Sequence, residues 1–166
     1  MNFSLKAILF FLVISTACGQ SEKPAALSFP KSSGRVNDFG GIYSPSEEIT
    51  IDSLIKSFES RSDVEIKVVS LDSTMTTVEG FNSYILRLAR YWELGKKSGK
   101  DNGVLIGISP AFQRVRITNG LGLEMVLTDV EIKMILDDSM FPLFRKGEYF
   151  NGTKVGLTEL TRLLEK

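Results

Sequence analysis

Gly95-Lys96-Lys97-Ser98-Gly99-Lys100-Asp101-Asn102-Gly103-Val104-Leu105-Ile106-Gly107-Ile108-Ser109 carries a lysine-rich, glycine-punctuated loop straight into an apolar run. Residues 104–108 are short, apolar and bounded by turn residues, as expected for a central strand buried on both faces. Such a strand needs a layer of structure on either side, so this stretch decides the fold class. Its junction, Asp101-Asn102-Gly103, is open to two readings. It is a solvated turn feeding a core strand, or the rim of a site that binds a cation or an anion.

The flanking sequence supplies the layers. After the run, 109–113 with Pro110 leads into 114–118, where Arg114, Arg116 and Thr118 alternate with Val115 and Ile117. That alternation predicts a hairpin with a more exposed second strand. Before the run, Val64, Ile66 and Val68 alternate with Glu65 and Lys67, predicting a strand over 64–71. Ser44-Pro45-Ser46-Glu47 has a cap, a proline suited to the first helical position and a capping-box acid. Ile51, Leu54, Ile55 and Phe58 follow at helical spacing. Val78, Phe81, Ile85, Leu88 and Trp92 mark a second helix, which Gly95 is placed to end. Gly120-Leu121-Gly122-Leu123-Glu124 reads as a tight loop. Thr128-Asp129-Val130-Glu131 is another capping box, although Val130, Ile132, Met134, Ile135 and Leu136 fall on more than one helical face. Val155, Leu157, Leu160, Leu163 and Leu164 predict a last amphipathic helix. Helices alternating with at least three strands, one pair antiparallel, imply α/β layers around a mixed central sheet in a single domain.

The start of the chain reads differently. Lys6 is the only charge before Glu22, and 7–14 is an unbroken apolar run followed by Ser15-Thr16-Ala17-Cys18. We read 1–17 as a secretory signal peptide, since roughly 20 apolar residues are needed to span a bilayer. Cys18 is the only cysteine, so no internal disulfide is available. Ser15–Cys18 resembles the lipobox of bacterial lipoproteins, with Ser15 where an aliphatic residue is usual. Lipidation at Cys18 would anchor the protein to a membrane surface through its acyl chains. The expected location is the cell envelope, periplasmic or at the cell surface. Residues 18–35, with Pro24, Pro30 and several serines and lysines, read as a flexible tether, and 36–166 as the folded domain. Loss of 1–17 leaves 149 residues with nineteen basic and twenty acidic side chains, a net charge of −1. That balance does not favour nucleic acid as a partner.

The chain contains no histidine. A Ser-His-Asp triad, a Cys-His pair and the histidine ligands of a typical catalytic zinc are therefore absent. What remains is oxygen chemistry suited to hard cations. The loop residues able to supply it are Asp38, Asp101, Asn102, Glu124 and Asp129. Each also has a structural explanation as a turn former, a helix-start charge or an ordinary surface group.

Taken in order, several motifs resemble the TPM domain, named for thylakoid, phosphatase and membrane. They are Val36-Asn37-Asp38-Phe39-Gly40-Gly41 with the Ser44 helix start, Tyr91-Trp92-Glu93-Leu94-Gly95-Lys96-Lys97 and Asp101-Asn102-Gly103-Val104-Leu105. Gly120-Leu121-Gly122-Leu123-Glu124, Leu127-Thr128-Asp129 and Phe141-Pro142-Leu143-Phe144-Arg145-Lys146-Gly147-Glu148-Tyr149 complete the set. The resemblance implies a three-layer α/β/α sandwich, usually exported and often membrane-tethered. It also implies a Ca2+ or Mg2+ site lined by Asp38, Asp101, Asn102, Glu124 and Asp129, with Asp101 and Asp129 inside the best-matching motifs.

Two functions are compatible with this reading. One is a metal-dependent acid phosphatase acting on phosphomonoesters, an activity the resemblance associates with some members. In it Asp101 and Asp129 hold the ion, and Asp38 or Glu124 serves as general base. The other is a non-catalytic, cation-binding module for assembly, repair or quality control of membrane proteins. Tyr91, Trp92, Phe112 and Phe144 could add to its partner surface, core packing being the commoner fate of such residues. Lys96, Lys97 and Lys100 either attract an anion such as phosphate or only solubilise the loop.

Overall fold

The computed structural model describes residues 28–97 and 99–165. The segment read as a signal peptide, Cys18 and the first part of the expected tether lie outside the described residues. The elements run β1 (Val36–Asp38), α1 (Pro45–Glu59), β2 (Glu65–Ser70), α2 (Phe81–Tyr91), β3 (Gly103–Ser109), β4 (Arg114–Asn119), a 3-10 turn (Leu121–Leu123), α3 (Asp129–Met134), a π turn (Ile135–Met140), α4 (Phe141–Phe144) and α5 (Tyr149–Leu164).

The four strands form one mixed sheet in sequence order. β1 and β2 are parallel, as are β2 and β3, while β4 returns antiparallel with Ile106 opposite Ile117. Every residue of β3 is buried, as its apolar run requires. Alternation along the strands builds two cores. Ile66, Val68, Val104, Ile106 and Ile108 face α1, the π turn and α5. Val69, Leu71 and Leu105 face α2, which contributes Phe81, Tyr84, Ile85 and Leu88. The chain is thus a single α/β domain of three layers. Both parallel crossovers step the same way across the sheet yet pass on opposite faces. They are therefore of opposite hand, and one departs from the usual right-handed rule.

Local signals explain most element starts. Ser44 and Glu47 form a reciprocal capping box at α1, and Thr128 and Glu131 form one at α3. Four features differ from the expectations. Residues 36–38 add a short strand where only a turn was read, because the sheet edge of β2 pairs them. Val78 lies ahead of α2 and is exposed. The reading of 18–35 as flexible does not hold over 28–35, which packs on the domain. There Phe29 sits 5.1 Å from the Tyr84 ring, the Trp92 indole N–H donates to the Pro30 carbonyl, and Arg35 pairs with Glu59 at 2.6 Å. Lastly, the segment opened by Thr128 is three joined helical pieces. Its apolar residues fall on more than one face because a π turn rotates Ile135 and Met140 into the core, ending where Pro142, which has no N–H to donate, enters α4. Among the described residues no helix is long and apolar enough to cross a membrane.

Candidate functional site

The Asp101-Asn102-Gly103 turn is where three distant segments meet, at the amino end of β3. Asp101 takes a left-handed conformation, with φ of 53°. Its carboxylate pairs with Lys96 at 2.8 Å and accepts a hydrogen bond from the Leu121 amide at 3.3 Å. Its carbonyl accepts from the Gly122 amide, and the Gly103 carbonyl accepts from the Gly120 amide. Side chains at Gly120 or Gly122 would overlap the backbone of Asp101 or Lys100, so both glycines of the 120–124 loop are needed for this approach. Asn102 is 3% exposed. Its side-chain amide donates to the Asp63 carbonyl, and its own carbonyl accepts from the Glu65 amide.

Gly95 closes the arrangement from the end of α2. Its amide donates to the Glu65 carboxylate at 3.0 Å, its carbonyl accepts from the Asn102 amide, and its φ of 76° suits glycine. A Cβ here would strike the Gly103 amide nitrogen.

The lysines of the loop are all engaged. Lys96 pairs with Asp101, Lys97 with Glu65 at 3.7 Å, and Lys100 with Asp63. Their charge is therefore answered locally, which leaves little net positive field for an incoming anion. Hydrogen bonding from Lys96 is the main reason the Asp101 carboxyl is held below the usual carboxylate range; burial opposes this and the Leu121 amide adds to it. Asp63 is lowered in the same direction, chiefly by Lys100. A carboxylate held low is a weak proton acceptor at neutral pH, so Asp101 is poorly suited to general-base work.

The five residues singled out in the sequence do not gather at one place. Asp101 and Glu124 line the same crevice of about 380 Å3, together with Arg90, Lys96 and Thr118. Asn102 opens on a neighbouring cleft beside Asp63 and Glu65. Asp38 ends β1, and pairs in register with Ser70 at the carboxyl end of β2. It accepts from the Ile42 and Tyr43 amides and from the Ser70 hydroxyl, which also accepts from the Gly40 amide. Asp129 stands at the start of α3, in a shallow groove with Val130, Lys133 and Met134. Among the described residues no group of three or more Asp, Glu, His or Cys is close enough to hold a metal ion. The set therefore does not fit a single cation centre, and we derive no catalytic step through one.

Two features were given no functional role in the sequence reading. Asp63 and Glu65, which answer Lys100 and Lys97, follow a helix end and carry no motif of their own. The second feature is apolar. Between Leu121 and Met134, large side chains face solvent: Leu121 is 71% exposed, Met125 92%, Val126 45%, Val130 67% and Met134 57%. The apolar residues are visible in the sequence, but nothing local separates the exposed Met125 and Val126 from the buried Leu123 and Leu127.

The comparisons with known proteins agree with this fold. The sequence matches the TPM domain model over residues 36–163. The solution structure of the N-terminal domain of a protein from P. gingivalis is 32% identical, with a TM-score of 0.70 over 80% of this chain and 83% of that one. Two further solution structures share the fold at lower identity. The N-terminal domain of the cg2496 protein from Corynebacterium glutamicum is 16% identical (TM-score 0.59, covering 82% and 84%). The BA42 protein from Bizionia argentinensis is 18% identical (TM-score 0.60, covering 73% and 80%). No curated protein matches the chain. With its family match spanning nearly the whole folded region, the chain belongs to the TPM domain family.

Proposed function

We propose that this TPM domain is a non-catalytic interaction module of the cell envelope, exported and anchored through lipid on Cys18, which engages a membrane protein through the 121–134 segment. The observation that carries this reading is the exposure of Leu121, Met125, Val126, Val130 and Met134 on one short stretch of chain. Isolated exposed apolar residues are ordinary, whereas concentrated ones mark contact surfaces. Val130 and Met134 are four residues apart on α3 and share one face. Methionine adapts to irregular partners, which suits Met125 and Met134 to such a role.

A role in assembly or quality control follows from this surface and the anchor together. The anchor confines the module to the membrane plane, so that a modest contact area is enough for repeated engagement. Of the cation ligands implied by the resemblance, Asp101 and Glu124 alone share a crevice. That pair is too few for a Ca2+ or Mg2+ centre and Asp101 is already paired with Lys96, so the proposed module does not depend on a bound ion. The phosphatase alternative has less support, because the carboxylates it needs around one ion and one water are spread over both ends of the sheet.

The test is a photo-crosslinking residue at Met125 of the full chain in its native membrane. The expected result is one discrete adduct with a membrane protein, lost in Val130→Asp, whose melting temperature should be unchanged. In parallel, hydrolysis of p-nitrophenyl phosphate with Ca2+ or Mg2+ should stay at background. Turnover that disappears in Asp101→Asn would overturn the non-catalytic reading, and a crosslinking pattern indifferent to Val130→Asp would remove the proposed surface.

A further inference from the structure

Another cleft lies at the other end of β3, remote from the Asp101 turn. Its volume is about 450 Å3, within the range of roughly 300–1,000 Å3 typical of small-molecule sites. The β3–β4 hairpin contributes Ser109 and Arg114 to its lining, and the α4–α5 corner contributes Phe141, Phe144, Arg145 and Tyr149. Ser109 is the last residue of β3. The cleft therefore opens at the carboxyl end of the parallel strands, where ligands of α/β sheets collect.

Two features of the lining point to a ligand of one chemical kind. First, neither arginine has a carboxylate partner among the described residues. Arg35, Arg61 and Arg162 are paired with carboxylates, whereas Arg114 and Arg145, like Arg87, Arg90 and Arg116, are not; what sets these two apart is that they line one cleft. The acid next along the chain, Glu148, accepts instead from the Asn151 side chain. Second, the apolar wall is aromatic. The Phe144 and Tyr149 rings are 5.2 Å apart at 46°, and the Arg145 guanidinium stands 5.9 Å from the centre of the Phe141 ring.

Guanidinium forks match the two-oxygen edge of a carboxylate, phosphate or phosphonate. Flat hydrophobic side chains favour a ring offset or tilted against them. We propose that this cleft binds a small organic oxyanion, its charged head between Arg114 and Arg145 and its aromatic or other flat apolar body against Phe141, Phe144 and Tyr149. Neither arginine was singled out in the sequence, because thirty residues separate Arg114 from Arg145 and no motif joins them. The proposal is independent of the partner surface at 121–134.

The experiment is titration of the full chain with phenylphosphonate and with phenylacetate, followed by calorimetry and by the ring resonances of Phe144 and Tyr149. Neither probe can be hydrolysed as a phosphomonoester, so binding is read apart from turnover. At least one should bind saturably and shift those resonances, and comparison of the two identifies the preferred head group. Inorganic phosphate and benzyl alcohol, each carrying half of the recognition, should bind at least tenfold more weakly. Arg114→Gln and Arg145→Gln, both at exposed positions, should each weaken binding tenfold or more without changing the melting temperature. Arg162→Gln, on α5 and paired with Glu159, should leave it unchanged. Absence of saturable binding by both probes, equal binding of inorganic phosphate, or affinity indifferent to both cleft arginines would each overturn the proposal.

Discussion

Replacing Gly95 by alanine tests whether the end of α2 is locked onto the Asp101 turn by close backbone contact. Two costs add at this position. Its φ of 76° lies in the left-handed region, which costs an L-residue about 1–2 kcal/mol. The new Cβ would also press on Gly103 N and on Asn102 C and Gly103 Cα, the latter two each 2.6 Å away. Those atoms are backbone and cannot rotate aside, so the crowding belongs in the upper part of the overpacking range of about 1–3 kcal/mol. Reduced freedom of the unfolded chain returns about 0.4–1 kcal/mol. The net loss is about 2–4 kcal/mol, a large share of the roughly 5–15 kcal/mol that holds a domain together.

Gly41→Ala is the matched control, since its φ is 64° and nothing lies within 4 Å of its added Cβ. It should lose about 1 kcal/mol or less, from conformation alone. Urea unfolding followed by circular dichroism gives both values, and an unchanged m-value would show that the denatured state is not responsible. The expected melting-temperature drop for Gly95→Ala is on the order of 10 °C. If Gly95→Ala were no less stable than Gly41→Ala, the close approach of Gly95 to Gly103 would not be a feature of the folded protein.

Three further outcomes are expected. The Asp101 carboxyl is lowered in the folded state by Lys96, so the pair's contribution is present above the ordinary carboxylate range and is lost as pH falls through the lowered folded value. Asp101→Asn should flatten that acid limb of a stability–pH curve by only about 0.2–1 kcal/mol, because Lys96 is half exposed; an unaltered limb would refute the pairing. Ser70→Ala strips the Asp38 carboxylate and the Gly40 amide of a shared buried partner, and should cost about 1–3 kcal/mol in urea unfolding. A neutral result would mean that the β1–α1 loop does not depend on that hydroxyl. Gly107→Ala pushes a methyl into the Ile85 side chain. The loss of about 1–3 kcal/mol should be partly relieved in the double variant with Ile85→Val, a coupling of at least about 0.5 kcal/mol. Simple additivity would show that α2 does not seat on Gly107.

The cation set shows where reading along the chain loses force. Asp38, Asp101, Asn102, Glu124 and Asp129 are alike in residue type and in loop placement. The sheet nevertheless sends Asp38 to the carboxyl end of β1 and Asp101 to the amino end of β3. Lys96, Lys97 and Lys100 looked like a free positive lip, yet their answering carboxylates come from Asp101, Glu65 and Asp63. Two of those acids lie on the far side of α2 in sequence.

The sequence by itself determined the elements whose causes are local. The capping boxes at Ser44 and Thr128 act within four residues, the apolar run at 104–108 demands burial wherever it goes, and the alternation after Pro110 makes a hairpin. From these came the α/β class and the mixed sheet, and the order of the motifs pointed to the family. Tertiary structure alone decided the pairing of β1, the packing of 28–35 and the π turn at 135–140. It also decided which charges meet and which side chains share a cleft. Those outcomes depend on contacts between segments tens of residues apart, where spacing along the chain carries no distance in space, and small changes in strand register or crossover face redirect every side chain involved.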